Sequence, residues 1–413
     1  MECTSLVLKV ASRCNLNCTY CYMYNMGDLT YKNQPKFMSD AVVDALLHRV
    51  KEHVETHKLR VFFLIFHGGE PLMAPKKFYR NFIAKARNLI DPAQTDLRFM
   101  MQTNGVLITE EWCKLFEELK ISVGISMDGT PKAHNMYRID HKGRGSYDEV
   151  VRGLKIFRQH FKRVGVITVF NIKEEPIEIY EHFKSLGVTN YSILLPDMHY
   201  DNPPGMFGID HSNGRTPVAD WLIPLFDHWM ADTCENKPKV QIFETLIELM
   251  FGKEGSGNEV LGGGQNDTLI IETNGDIETV DTLKACGHGF TKGNMSVFSN
   301  SIDEAQNTPL IRLYFDSHKN LCAQCRACPL NEVCGGGYLV TRYSAENGFD
   351  NPSIYCRDLM KLIVYMQNRI LSLMPESYLQ QTGMELLSEK EVLEIIEQNL
   401  AGADLQPMLE TAC

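Results

Sequence analysis

The stretch Ser12-Arg13-Cys14-Asn15-Leu16-Asn17-Cys18-Thr19-Tyr20-Cys21-Tyr22 decides the fold of this 413-residue chain. Its three cysteines are spaced C-x3-C-x2-C and follow an apolar, strand-like run at residues 6–10. Iron-sulfur clusters are normally held by four thiolates, so three close ones indicate a cluster with one iron open to another ligand. A zinc knuckle and buried core cysteines are the alternatives. Zinc sites add a second pair or histidines, whereas the next cysteine here is Cys113.

The triplet of Cys14, Cys18 and Cys21, with the aromatic Tyr20 before its last member, resembles the signature C-x3-C-x-aromatic-C of radical S-adenosylmethionine (radical SAM) enzymes. The resemblance implies that these cysteines hold a 4Fe-4S cluster whose fourth iron binds S-adenosylmethionine. Reductive cleavage of that cofactor gives a 5′-deoxyadenosyl radical, which abstracts hydrogen from substrate. It also implies that Tyr20 belongs to the cofactor site.

Composition restricts the partners of the chain. The formal net charge of -11 argues against nucleic acid, which requires a basic surface. The longest apolar run, residues 61–66, is far shorter than a membrane span, and no signal segment precedes residue 6. We therefore expect a cytoplasmic protein with no membrane partner. In such a reducing compartment, 13 cysteines indicate metal or redox chemistry.

Apolar runs alternate with helix-period segments over the first half of the chain, a pattern that favours βα units and a parallel sheet. The predicted strands are residues 6–10, 60–66, 97–102, 122–126, 164–170 and 191–195. The predicted helices between them are 39–56, 75–89, 110–119, 147–161 and 176–185. Six strands agree with the α/β fold that the resemblance implies, a partial (β/α)6 radical SAM barrel.

Short polar motifs follow these strands, at the edge where parallel sheets bind ligands. The run His67-Gly68-Gly69-Glu70-Pro71 could be an ordinary turn. Together with the cysteine triplet, it matches the GGEP motif of the family, whose backbone contacts the methionine amino group. By resemblance the cofactor site also contains Asn104, Ser126, Asp128, Leu195 and Arg138, whose guanidinium would pair with the cofactor carboxylate. Thr168 is a further candidate.

A second cysteine set, Cys325, Cys328, Cys334 and Cys356, has the spacing C-x2-C-x5-C with its last member further on. Four thiolates can complete a cluster, and a zinc ribbon is the alternative. The layout resembles the SPASM domain of peptide-modifying radical SAM enzymes, which holds two auxiliary clusters. The usual ligands of the first are missing, so we expect one auxiliary 4Fe-4S cluster.

Two further cysteines, Cys286 and Cys322, lie off this pattern. They are expected to be structural, with a variant two-cysteine cluster as the alternative. The predicted organisation is a barrel at 1–215, bridging helices at 216–265, a SPASM-like domain at 266–375, and a C-terminal helix and tail at 376–413. A hairpin is expected around Asn274-Gly275, a strong turn pair. Residues 401–413 are expected to form a loose tail.

Residues 278–284 and 334–359 resemble a subgroup of SPASM maturases that join an aromatic ring carbon to a β-carbon in a ribosomal precursor peptide, giving a cyclophane. The resemblance implies a leader-bearing peptide, an external electron donor such as flavodoxin or ferredoxin, and Asp281 as the base. Asp281 could instead cap a helical turn at 282–285. The alternative functions are thioether formation, oxidation of a sulfatase residue to formylglycine, and a peptide-binding scaffold with structural clusters.

Overall fold

The computed structural model describes residues 2–253, 255–264, 266–383 and 385–410. The strands in this part are β1 Ser5–Ala11, β2 Val61–Gly68, β3 Asp96–Thr103, β4 Ile121–Ser126, β5 Gly165–Val169, β6 Asn190–Leu194, β7 Lys239–Val240, β8 Thr268–Ile271, β9 Asp276–Glu278 and β10 Met295–Ser296.

The helices are α1 Asp40–Thr56, α2 Lys76–Leu89, α3 Glu110–Leu119, α4 Pro131–Tyr137, α5 Tyr147–His160, α6 Pro176–Ser185, α7 Pro217–Ala231, α8 Gln241–Met250, α9 Ile302–Gln306, α10 Pro309–Phe315, α11 Ala323–Ala327, α12 Asn331–Cys334, α13 Cys356–Leu371, α14 Glu376–Thr382 and α15 Glu389–Glu410. None of the described helices is long and apolar enough to span a bilayer. The predicted tail is wrong as far as Glu410, because α15 continues to that residue; residues 411–413 lie outside the described part.

The chain divides into two compact units. The first contains Met1–Asn171, Glu181–Asp197 and Asp267–Phe315. The second contains Ile172–Tyr180, Met198–Asn266 and Asp316–Cys413. The four domains expected from sequence separate the chain at other points and stay a prediction.

An open sheet organises the first unit, with its strands in the order β10-β9-β8-β1-β2-β3-β4-β5-β6. Strands β1 to β6 each pair in parallel with the next. All six were predicted, and the expected α/β fold with a partial parallel barrel is confirmed. Along β2, buried and half-buried residues alternate, as expected for a strand whose two faces differ in exposure. Parallel pairing brings the carboxyl ends of β1 to β6 to one edge.

The predicted hairpin is present, but its position was not predicted. Strands β8 and β9 are antiparallel, and Gly275 adopts a φ of +91° in the turn between them. Strand β8 pairs in parallel with β1, with Leu269 opposite Leu6. The hairpin therefore extends the barrel sheet, and β9 runs in the direction opposite to β1.

One buried carboxylate fixes the helices of the second unit. Asp358, near the start of α13, accepts hydrogen bonds from the backbone N–H groups of Val218 (2.7 Å) and Ala219 (2.9 Å) in the first turn of α7. His211 Nε2 lies 2.7 Å from its other oxygen. The first N–H groups of a helix have no partner within the helix, so Asp358 caps α7 from a distant part of the sequence.

We expect Asp358→Ala to lower the thermal unfolding midpoint of the protein. The substitution leaves two buried N–H donors without an acceptor, which costs about 2–3 kcal/mol, or roughly 2–4 °C for each kcal/mol. Asp358→Asn keeps an acceptor oxygen and is the matched control. Calorimetry of both variants tests the expectation, and equal midpoints for Asp358→Ala and the unaltered protein would contradict it.

Candidate active site

The glycines that end β2 fix the start of the cysteine loop. Gly69 donates its N–H to the Ala11 carbonyl at 2.8 Å, and the Glu70 N–H donates to the Arg13 carbonyl at 3.1 Å. Gly68 adopts a φ of +134°, which favours glycine. A Cβ on Gly68 would overlap Ala11, and one on Gly69 would overlap Arg13. The GGEP motif therefore holds the backbone immediately before Cys14.

The side chain of Glu70 joins two loops. It is buried and accepts hydrogen bonds from the Leu72 N–H (2.9 Å), the Thr103 hydroxyl (2.7 Å) and the Asn104 N–H (2.8 Å). Burial raises the pKa of Glu70 to about 7, and the three donors oppose that rise. Because its carboxylate is used inside the protein, this residue would serve a cofactor through its backbone. Pro71 continues the turn, and its carbonyl accepts the Tyr79 hydroxyl at 2.6 Å.

The three cysteines that follow β1 share one neighbourhood. Burial raises the pKa of all three thiols, to about 12 for Cys21, and the thiols of Cys18 and Cys21 raise that of Cys14 further. The Leu16 N–H lies 3.4 Å from Cys14 Sγ, and Asn104 Nδ2 lies 3.7 Å from it. Thiolates that repel one another in a buried site need a bound cation to ionise. The set therefore suits an iron-sulfur cluster. Asn104 lies beside Cys14, and its contact with a cofactor stays a prediction.

Tyr20, Asp128 and Arg138 form a second part of the site. The Tyr20 hydroxyl donates to Asp128 Oδ2 at 2.5 Å, and Arg138 Nε lies 2.9 Å from the same oxygen. Burial alone would lower the pKa of Arg138, but the Asp128 carboxylate raises it. The Arg138 guanidinium also lies 5.6 Å from the centre of the Tyr20 ring. Arg138 thus has an internal carboxylate partner, and its pairing with a cofactor carboxylate stays a prediction.

The remaining candidates lie at the carboxyl ends of β4 to β6. Ser126 ends β4, and its hydroxyl accepts a hydrogen bond from Gln102 Nε2 at 2.8 Å. Thr168 is buried in β5, and the half-buried Leu195 directly follows β6. These positions belong to the edge that carries the cysteines, but their contact with a cofactor stays a prediction.

Asp281 is held by charged and polar groups rather than used as a helix cap. It is the first residue of the short 3₁₀ helix Asp281–Cys286, in which Val280 and not Asp281 occupies the N-cap position. Its Oδ2 atom instead accepts hydrogen bonds from Lys9 Nζ and from the Tyr22 hydroxyl, the latter at 3.1 Å. The capping alternative is therefore wrong. Lys9 Nζ also donates to His67 Nδ1 at 3.2 Å.

The electrostatics of this group keep Asp281 ionised. Burial alone would raise the pKa of Asp281, but the charge and the hydrogen bond of Lys9 lower it to about 2. Burial, with Lys9, lowers the pKa of His67 to about 4, so this imidazole is neutral. The folded-state pKa of Asp281 lies below its ordinary value. The associated stabilisation is therefore complete above about pH 4 and is lost as the pH falls toward 2.

A buried ion cluster shapes the chain on both sides of Asp281. Lys284 Nζ lies 2.7 Å from Glu278 Oε2 and 3.1 Å from Glu272 Oε1. Burial would lower the pKa of Lys284, but these carboxylates raise it. The sequence pattern Glu-x2-Asp-x2-Lys at 278–284 thus closes a loop whose ends are paired. The middle residue, Asp281, points at Lys9.

The second cysteine set lies in the second unit. Burial raises the pKa of Cys334 to about 11. Hydrogen bonds from the N–H groups of Gly336 and Gly337 lower this pKa and so oppose the effect of burial. Gly335, Gly336 and Gly337 all adopt positive φ, at 66°, 80° and 73°. Consecutive left-handed residues direct backbone N–H groups to one side, which suits an anion. The triple glycine is therefore a backbone requirement of this site.

The four expected ligands interact, and Cys322 lies beside them. Burial raises the pKa of Cys356 to about 12, and the thiols of Cys334 and Cys328 raise it further. A hydrogen bond with Cys325 lowers the pKa of Cys322 to about 6. Cys286 belongs to the first unit. The structural role expected for Cys286 and Cys322 stays a prediction.

Sequence reasoning missed Arg342, which is fully buried near these cysteines. Its Nη1 donates to the carbonyls of Ser317 (3.0 Å) and Asn320 (3.3 Å). Its Nε and Nη2 have no hydrogen-bond partner among the described residues. Burial lowers the pKa of Arg342, and the charges of Cys325, Cys322 and Cys334 oppose this. A buried guanidinium with N–H groups still unpaired suits an anionic cluster. In the sequence, the only sign of a constrained backbone near Arg342 is the run of three glycines at 335–337.

We expect Gly69→Ala to prevent assembly of the first cluster. The added Cβ would overlap the backbone of Arg13 and displace the chain that leads to Cys14. Iron per chain after anaerobic reconstitution should fall by about four atoms, the content of one 4Fe-4S cluster. Gly205→Ala is the matched control, because no atom lies within 4 Å of a Cβ there and its φ is not in the left-handed region. Full iron content in Gly69→Ala would refute the positioning role.

We expect Arg342→Gln to make the auxiliary cluster harder to reduce. Reduction adds negative charge, which a buried guanidinium favours, so its removal should shift the midpoint potential to lower values by tens of millivolts. Arg342→Lys keeps the charge and should retain most of the potential. Spectroscopic redox titration measures both. An unchanged potential in an iron-loaded Arg342→Gln protein would show that this cation does not act on a cluster.

Comparison with known proteins agrees with this geometry. Residues 8–186 match the Radical SAM superfamily. The chain is 26% identical over 376 residues to the cysteine-type anaerobic sulfatase-maturating enzyme of Clostridium perfringens, covering 89% of this chain and 97% of that protein.

Two solved structures share the fold. Native anSMEcpe with bound AdoMet and the Kp18Cys peptide superposes with a TM-score of 0.76 at 22% identity, covering 89% of this chain and 98% of that one. Streptococcus suis SuiB bound to precursor peptide SuiA gives a TM-score of 0.56 at 17% identity, covering 86% and 76%. The cysteine triplet and the GGEP backbone both lie within residues 8–186, the part of the chain that matches the Radical SAM superfamily.

Proposed function

We propose that this protein is a radical SAM enzyme that joins an aromatic ring carbon to the β-carbon of another residue in a ribosomally made precursor peptide. In this proposal Cys14, Cys18 and Cys21 hold a 4Fe-4S cluster, and the strand-end residues hold S-adenosylmethionine. When bound, these groups supply a 5′-deoxyadenosyl radical that takes a hydrogen atom from the peptide. The protein then has to remove one proton and one electron from the linked residues.

The position of Asp281 is the observation that carries this proposal. Lys9 interacts electrostatically with Cys21, and the next residue, Tyr22, donates to Asp281. A carboxylate is thus fixed beside the cysteine triplet. Both hydrogen bonds use Oδ2, which leaves Oδ1 to receive the ring proton. Its low pKa keeps it ionised at all pH values above about 4, so it is always in the accepting form.

The second cysteine set would complete the oxidation. Cys325, Cys328, Cys334 and Cys356 offer four ligands, and the buried charge of Arg342 favours arrival of an electron near them. We assign this set to the auxiliary cluster. An external donor such as flavodoxin or ferredoxin would supply the first electron, and a leader segment would bring the peptide.

The absent first auxiliary set favours cross-linking over formylglycine formation. Val280 and Tyr338 stand at two positions where the SPASM domain that this chain resembles has cysteines. Val280 is buried as an apolar residue, and neither side chain offers the thiolate that a cysteine would supply at these positions. A chain that has lost these ligands and kept Asp281 is suited to a different oxidation at a β-carbon.

Formylglycine formation is the second candidate function. The similarity to the cysteine-type maturating enzyme extends over 89% of this chain and includes the C-terminal region. It favours an oxidation that also begins at a β-carbon. The two reactions differ in product: oxidation of a cysteine replaces its sulfur by oxygen and gives an aldehyde, whereas a cross-link removes two hydrogens and leaves no aldehyde.

The test uses iron-loaded enzyme with short peptides encoded beside its gene and with a cysteine-type sulfatase peptide. We expect loss of two hydrogens from a precursor peptide, with fragment ions that locate an aromatic-to-Cβ bond. An aldehyde in the sulfatase peptide, detected by hydrazone formation, would favour the second candidate. If neither peptide changes while 5′-deoxyadenosine accumulates, the peptide class is wrong. If no 5′-deoxyadenosine forms, the radical proposal fails.

Asp281→Asn removes the proton acceptor with little change in shape. We expect 5′-deoxyadenosine to form still, while cross-linked product falls by about 10²-fold or more. The unaltered enzyme should show no loss of activity from Asp281 protonation above pH 5. Asp276→Asn is the control, since the side chain of this residue contacts Asn274 and Lys292 and not Lys9. Product formation at the normal rate in Asp281→Asn would exclude its role as base.

A further inference from the structure

Two histidines and a carboxylate meet in the first unit, at the end of β1 opposite to the cysteines. His53 lies in the last turn of α1, and His57 directly follows that helix. Asp303 lies in α9. One ligand atom from each residue can be chosen so that all three lie within 4.8 Å of one another. We propose that this cluster binds one divalent transition-metal ion of the zinc type.

Hydrogen bonding fixes which nitrogen of His53 faces the cluster. His53 Nε2 lies 2.8 Å from the carbonyl oxygen of Cys3. A carbonyl only accepts, so Nε2 carries the hydrogen and Nδ1 of the neutral ring is a bare lone pair. That lone pair lies 2.9 Å from Asp303 Oδ1, which is also an acceptor. Two acceptors at this distance need a positive ion, a metal or a proton, between them.

His57 repeats the arrangement. Its Nδ1 lies 3.4 Å from Glu2 Oε2, and its Nε2 lies 2.8 Å from the same Asp303 oxygen. A neutral His57 that donates to Glu2 directs a second bare nitrogen at Asp303. Metal-binding histidines commonly donate their other N–H to a carbonyl or carboxylate, which sets the tautomer. Both histidines are placed to do so.

The carboxylate is oriented as well. Gln306 Nε2 donates to Asp303 Oδ1 at 3.0 Å, and Gln306 Oε1 accepts the Cys3 N–H at 3.0 Å. Ligands around tetrahedral zinc lie about 3.3 Å apart, so an ion requires these atoms to move by less than about 1 Å. Asp303 and Glu2 together balance a divalent charge. Two imidazoles with one carboxylate suit zinc, cobalt or nickel better than calcium or magnesium.

The exposure of the proposed metal site and its distance from the cysteine triplet indicate that the ion would be structural. The side chains of His57 and Asp303 are 23% and 32% exposed, so an ion can enter and keep a water ligand. Strand β1 has 7 residues, so at about 3.3 Å per residue its two ends lie roughly 20 Å apart. The ion would not reach the cysteine triplet. It would instead join the segment before β1, the end of α1 and α9.

Zinc alone is the probe. Full-length protein with its iron-sulfur clusters assembled receives one equivalent of Zn²⁺, is freed of loose metal, and is analysed by mass spectrometry and zinc-edge X-ray absorption. We expect about one zinc per chain with only nitrogen and oxygen neighbours at about 2.0–2.1 Å. Asp303→Asn and His57→Gln should each reduce retained zinc at least tenfold. Glu2→Gln, which alters only an outer partner, should weaken binding by about 10- to 100-fold.

The control is His160→Gln. His160 also contacts two carboxylates, Glu110 at 2.7 Å and Glu117 at 3.2 Å, but has no second histidine among these contacts. Its loss should leave zinc content unchanged. Zinc with sulfur neighbours at about 2.3 Å, equal zinc in all variants, or less than about a tenth of an equivalent in the unaltered protein would overturn the proposal. The last result would assign the contacts to protonated histidine.

Circular dichroism checks that each variant is folded. His57→Gln is the milder variant, because the His57 side chain is partly exposed.

Discussion

The buried ion pair between Lys9 and Asp281 is the interaction on which the arrangement of the first unit depends. Lys9 lies within β1 and is fully buried, so its ammonium requires a compensating charge. Asp281 supplies this charge from the chain that follows the β8–β9 hairpin. Removing one member of such a pair leaves an uncompensated buried charge and costs about 3–5 kcal/mol. The pair thus ties the hairpin segment to the strand that leads into Cys14, Cys18 and Cys21.

The same pair explains how a carboxylate can remain ionised in a buried place. Desolvation alone would favour the neutral acid, but the Lys9 ammonium and the Tyr22 hydroxyl favour the anion. His67 receives a hydrogen bond from Lys9 and stays neutral, so it adds no second positive charge. The net result is one fixed negative group beside thiols. A peptide radical formed there would find a proton acceptor already in place.

Much of the fold could be predicted because its signals are local. The six parallel strands have short apolar runs bounded by turn residues, and the cysteine spacings are contained within short segments. Gly68 and Gly69 could be identified because backbone approach leaves a requirement for glycine in the sequence. The pairing of β8 with β1 could not be predicted, because the register between strands more than 250 residues apart leaves no local pattern.

The missed parts of the site depend on three-dimensional partners. Nothing in the sequence around Lys9 or Arg342 says that either cation is buried, since lysine and arginine are ordinarily exposed. Likewise Arg138 was expected to meet a ligand, but its charge is already matched by Asp128. The carboxylate of Glu70 is similarly used in joining two loops. Some charged residues in the strand-end motifs therefore stabilise the loops at the carboxyl edge of the sheet, whereas others stay available to bind or react with a ligand.

The loss of one auxiliary cysteine set alters what the remaining groups must do. With Val280 and Tyr338 at two of the ligand positions, an electron from the substrate has the second set, Cys325 to Cys356, as its expected acceptor. In the proposed reaction, the buried guanidinium of Arg342 favours an electron on that set, because it offsets part of the added negative charge. The proposed proton acceptor has the opposite charge. Asp281 is a carboxylate anion that the Lys9 ammonium holds in place. The proposed oxidation thus uses two sites of opposite charge: the Asp281 carboxylate takes the proton that leaves the peptide, and the cysteine set beside Arg342 takes the electron.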